Sequence, residues 1–78
     1  MKTNQINKMF DLSVKYLNDY KIYVISEGIE LIIKPTEITV SDNLIDFTYP
    51  GGVLALKIEN IINIDNDERL QRSIVKIK

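Results

Sequence analysis

At 78 residues the chain has room for one hydrophobic core, and cores of that size are often reinforced by disulfides, a metal or a partner subunit. The absence of Cys and His excludes disulfides, Cys/His zinc centres and nucleophilic catalysis built on either residue. A hydrophobic share of 45%, a charged share of 27% and a net charge of −1 describe a folded domain, not a disordered chain or a nucleic-acid-binding polycation.

Residues 3–20 carry the helical signal. At about 100° per residue, Ile6, Met9, Phe10, Leu12, Val14, Tyr16, Leu17 and Tyr20 fall on one arc roughly 200° wide, interrupted only by Ser13. Asn7, Lys8, Asp11, Lys15, Asn18 and Asp19 fill the other side, and Thr3 or Asn4 suits the N-cap. An arc that wide exceeds what one helix on a small sheet needs to bury. It is expected to cover an open barrel end, to meet a second protomer, or both. The residues expected to form an oligomer or partner interface are Ile6, Met9, Phe10, Tyr16, Leu17 and Tyr20.

From Lys21 the pattern is that of β-structure. Lys21 to Ile25 is β-branched and aromatic, Ser26-Glu27-Gly28 turns the chain, and Ile29, Leu31 and Ile33 share a face of the next strand. Pro35 predicts a kink before Thr36 to Val40 resumes, and Asp42-Asn43 is a second turn. Leu44 to Tyr49 alternates Ile45, Phe47 and Tyr49 with Asp46 and Thr48. Pro50-Gly51-Gly52 is the strongest hairpin signal, followed by Leu54, Leu56 and Ile58 in one phase. Glu59-Asn60 makes a corner and Ile61 to Ile64 a short strand. Asp65-Asn66-Asp67-Glu68 is a polar break that lacks the later ligands of a calcium loop, and Ile74, Val75 and Ile77 can form a last strand. The expected organisation is a single domain over 1–78: a helix at about 3–20, a β-barrel at about 21–64 and a basic C-terminal segment at 69–78.

This order of elements resembles the Sm/Hfq family of small barrels over about residues 4–65. Tyr23-Val24-Ile25-Ser26-Glu27-Gly28-Ile29-Glu30-Leu31 is similar to the family's first hairpin, Asp42-Asn43-Leu44-Ile45 to its polar turn into the third strand, and Lys57-Ile58-Glu59-Asn60-Ile61 to its second signature motif. The resemblance implies an α+β, mainly β fold, with an N-terminal amphipathic helix followed by a five- or six-stranded antiparallel small barrel (Sm/SH3-like). Two positions depart from the pattern. Lys34-Pro35-Thr36 stands where the family's second strand bends at a Gly, and Ile58 replaces the His of the Lys-His pair that helps bacterial members bind RNA, while Lys57 matches the Lys.

Segment by segment the charge is uneven: +2 over residues 1–25, −7 over 26–68 and +4 over 69–78. An acidic barrel repels phosphates. If nucleic acid binds, Arg69, Arg72, Lys76 and Lys78 are therefore expected to meet it first, with Tyr49 and Lys57 joining them in an Sm-like binder. No phosphate-cradling Gly loop accompanies Gly51-Gly52, and the β-segment acids Glu30, Glu37, Asp46 and Glu59 sit opposite the apolar phase as a solvated face. No cofactor is expected.

No signal-peptide pattern follows Met1, no apolar run approaches the roughly 18 residues of a membrane span, and the lack of Cys suits a reducing compartment, so a cytoplasmic location is expected. Fourteen Ile and seven Asn reflect AT-rich codons. These features suit a non-enzymatic, protein-binding or self-assembling interaction module, such as an accessory or inhibitory protein of a phage or mobile element. The alternative is an Sm/Hfq-like oligonucleotide (RNA) binder.

Overall fold

The apolar periodicity of the first segment is realised as α1, Lys2–Lys15, in a computed structural model that describes residues 2–78. Ile6, Met9, Leu12 and Ser13 turn into the protein, three and four residues apart as one helix face requires. The helix starts at Lys2, so Thr3 and Asn4 lie in its first turn instead of capping it. It also ends well before Tyr20. Asn18 takes a left-handed conformation with φ 75°, which its short polar side chain tolerates, and the amides of Asp19 and Tyr20 both donate to the Tyr16 carbonyl at 2.9 and 3.0 Å. That reversal turns Tyr20 into the core.

Seven strands follow: β1 Lys21–Ser26, β2 Ile29–Ile33, β3 Glu37–Val40, β4 Leu44–Tyr49, β5 Gly52–Lys57, β6 Ile61–Asp67 and β7 Arg72–Ile77, with a 3-10 turn at Ile58–Asn60 between β5 and β6. They form two sheets. The three-stranded sheet, β3-β4-β5, is an antiparallel meander whose neighbours in space are neighbours in sequence. The four-stranded sheet has the order β2-β1-β7-β6 and is mixed, because β7 pairs parallel to β1 and antiparallel to β6.

Turn chemistry fixes the registers. Glu27 and Gly28 both have positive φ, 44° and 83°, the type I′ pattern whose twist matches a two-residue hairpin. The Ser41 amide donates to the Leu44 carbonyl across the Asp42-Asn43 turn at 2.9 Å. Pro35 separates β2 from β3 and is itself buried, so a nearly continuous stretch of chain serves the four-stranded sheet before the kink and the three-stranded sheet after it.

One cluster gathers the inward side chains of α1 and both sheets, with Met9, Ile22, Ile45, Phe47 and Val75 fully enclosed. Each such side chain contributes about 1.5–3 kcal/mol by leaving water. A polar chain runs through it. Asn66 Nδ2 donates to the Gln5 carbonyl, which leaves its Oδ1 to accept from Ser73 Oγ. Ser73 has then used its only proton, so the Tyr20 hydroxyl donates to Ser73 Oγ at 2.7 Å.

Several expectations are corrected. There are seven strands, one pairing is parallel, and no closed barrel forms among the described residues. Pairing β1 with β7 inserts the C-terminal segment where a barrel of antiparallel neighbours would have placed a sequential strand. The last strand before the polar break runs to Asp67, not Ile64, because the register with β7 keeps Asp65, Asn66 and Asp67 in the ladder. The basic segment supplies the last strand expected of Ile74, Val75 and Ile77. Arg72–Ile77 is an interior strand, and Arg72 stands opposite Asp67. The +4 and −7 segments thus meet within one sheet, and the dipole seen along the sequence is partly cancelled in space. No helix among the described residues is long and apolar enough to cross a membrane.

Candidate protein-interaction groove

The broad helical arc divides between two environments. Ile6, Met9 and Tyr20 are all less than 5% exposed within the chain's own core, which corrects their expected interface role. Their stripe is consumed by folding. Tyr16 is half-buried and engaged: its hydroxyl donates to Glu68 Oε2 at 2.9 Å, and its ring stacks on Tyr20 with centroids 6.4 Å apart.

What remains outside is a second stripe. Phe10 and Val14, one turn apart on the flank of α1, and Leu17 in the turn that follows it keep 41%, 60% and 57% of their surface exposed. Across from them the Pro35 kink brings Pro35, Thr36, Glu37 and Ile38 alongside. Between the two lies a groove of about 250 Å³, with Ser13 among its lining residues. The Ser13 hydroxyl is spent on the Phe10 carbonyl at 2.8 Å, so it offers no free donor there. Glu37 is the one charged lining residue. Such a groove is chemically an apolar acceptor for one or two side chains with a single carboxylate beside them.

Its helical wall is fixed at one end by Glu68, whose Oε2 accepts from Lys15 Nζ at 2.6 Å as well as from Tyr16. The Lys15 ammonium also lies 5.3 Å from the Tyr16 ring centre. The hydrogen bonds from Lys15 and then Tyr16 hold the Glu68 carboxyl below the usual carboxylate range, and the bond to Glu68 holds the Lys15 ammonium above the usual lysine range. Both side chains are substantially exposed, so this pair orients the helix end more than it stabilises the fold.

The expected nucleic-acid contacts are not brought to one place. Tyr49 is half-buried and packs against the core. Lys57 ends β5 in a shallow depression shared with Asp42 and Glu59. Arg69 sits in the β6–β7 turn and Arg72 opens β7, with its guanidinium 5.4 Å from the Tyr23 ring centre. Lys76 and Lys78 lie at the far end of that strand, about 13–20 Å away at 3.3 Å per residue, where the Lys78 amide donates to Asn60. A phosphate backbone would meet acids between these cations.

The sequence reading missed Val14, Pro35 and Ile38 as groove residues. Val14 was visible on the arc, and Pro35 was visible as a kink. That the kink faces the helix is a tertiary fact. No protein-family model matches the chain, and neither a curated protein nor a solved structure matches it.

Proposed function

We propose that this chain is a non-enzymatic protein-interaction module whose groove between α1 and the β2–β3 kink receives an apolar segment of a partner protein. The observation that carries this reading is the exposed stripe Phe10, Val14 and Leu17 facing Pro35 and Ile38. Large apolar side chains left contiguous at a concave surface are a recurrent mark of protein contact. The helix needs none of the three to complete its own core face. Glu37 at the groove, within a segment of net charge −7, favours a partner whose apolar residues are flanked by Lys or Arg.

Affinity capture from nuclease-treated lysate tests the reading, with wild type compared against Phe10→Ser/Leu17→Ser. Both substitutions remove exposed surface, so the circular dichroism spectrum is expected to stay unchanged. Recovery of a protein by wild type, lost in the double variant, supports the groove. Equal recovery by both chains contradicts it. Material that disappears on nuclease treatment assigns the chain to oligonucleotide binding instead.

A further inference from the structure

We propose that two copies of this chain pair through the free edge of β2, antiparallel about a two-fold axis at Ile32. This surface is separate from the groove, and the inference does not depend on it. β2 has a ladder partner on one side only, β1. A two-residue turn closes on a hydrogen-bonded pair, here Ser26 with Ile29, and such pairs alternate along an antiparallel ladder. The backbone groups of Ile29, Leu31 and Ile33 are thereby spent on β1. Those of Glu30 and Ile32 point outward.

The side chains make this edge unusual. Ile29, Leu31 and Ile32 are 72%, 41% and 48% exposed, on both faces of the strand. Proteins blunt such edges with charge, bulges, proline or short length. The other edges here carry those devices: β3 has only four residues, β6 has an irregularity between Ile61 and Asn63 and lies against α1, and β5 opens on Gly52 and closes on Lys57. Within β2 only Glu30 interrupts the apolar run.

Charge selects the register. Outward-facing groups must meet outward-facing groups, which confines the symmetric choices that pair β2 residues with one another to axes at Glu30, Leu31 or Ile32. An axis at Glu30 sets two like charges face to face, and one at Leu31 sets Glu30 against Ile32. An axis at Ile32 places Glu30 opposite Lys34 of the second copy, twice by symmetry. Lys34 is exposed and, preceding Pro35, is held to extended backbone. The edge is five residues long, about 17 Å, so the dimer belongs to the weak, concentration-dependent class.

Sedimentation equilibrium from about 10 µM to about 1 mM reads the association. A reversible dimer is expected, with Glu30→Lys raising its dissociation constant about tenfold. Glu30→Lys/Lys34→Glu is expected to restore the wild-type value to within about twofold, because the swap recreates the cross-strand pair. Ile32→Pro removes an outward N–H that β1 does not use, and is expected to give a folded monomer. A wild-type monomer throughout the range, a dimer indifferent to Glu30→Lys, or a swap that fails to restore association overturns the proposal. So does a dimer dissolved by Phe10→Ser/Leu17→Ser, which would place the contact in the groove.

Discussion

The two sheets reach the same burial by opposite routes. In β3-β4-β5 every pairing joins consecutive strands through a tight turn, so each hairpin carries its own instructions. In β2-β1-β7-β6 the central contact joins the first strand to the last, Tyr23 opposite Ile74 and Val24 opposite Val75. That contact encloses about two-thirds of the chain in a loop whose closure entropy must be met before any of its pairs form. The mixed sheet therefore holds the fold together, and the meander can be assembled locally.

The largest expected effect follows from that difference. Truncation after Gln71 removes β7, the one strand that joins β1 to β6, and is expected to abolish the folded state, read as loss of amide dispersion in an NMR spectrum. Damage to the meander is graded by comparison. Phe47→Ala, which empties that sheet's largest enclosed side chain, is expected to cost about 3–5 kcal/mol in urea unfolding while the transition stays cooperative. If the truncated chain keeps a native spectrum, the division of labour between the sheets is wrong.

Next in size is the polar chain that pins α1 to the mixed sheet. Ser73→Ala leaves the Tyr20 hydroxyl and Asn66 Oδ1 without their shared partner in a buried site, and is expected to cost about 1–3 kcal/mol. Tyr20 also sets an alkaline limit. Burial raises its hydroxyl above the usual tyrosine value. A group whose pKa is raised on folding stabilises fully below its unfolded value and loses that contribution as pH rises through the folded one. Stability is thus expected to fall above about pH 10, with a shallower fall in Tyr20→Phe. Glu68 has the opposite sign: its carboxyl is held low, so its contribution is present at neutral pH and is lost on acidification through the carboxylate range.

The smallest effect lies in the first hairpin. Glu27 occupies a left-handed position that Asn or Gly suits better, and Glu27→Asn is expected to stabilise the protein by about 0.5–1 kcal/mol. An unchanged midpoint would show that the turn does not limit the β1–β2 ladder.

The same contrast explains what could be read in the sequence. The meander was legible because its information is local: Ile45, Phe47 and Tyr49 alternate with Asp46 and Thr48, and Asp42-Asn43 and Pro50-Gly51 mark both turns. The mixed sheet was half legible. Ile74, Val75 and Ile77 could be recognised as strand-forming, but nothing in ten residues specifies that their neighbour is Tyr23 and not a sequential strand. Misplacing that one strand turned two open sheets into an expected barrel. The groove was legible as excess apolar surface on the helix. Which part of the arc would be left over depends on the chain reversing at Asn18, beyond the helix, to carry Tyr20 inward and on Pro35 arriving beside Phe10, and both are settled by tertiary packing.

Those leftover residues carry the functional reading, and methyl NMR localises it directly. With the captured partner titrated into labelled protein, the account predicts shifts concentrated on the methyls of Val14, Leu17 and Ile38, with Val53 and Ile62 on other surfaces unmoved. Shifts confined to the β7 and β5 ends around Lys57, Arg72 and Lys76, or none at the groove, would contradict it.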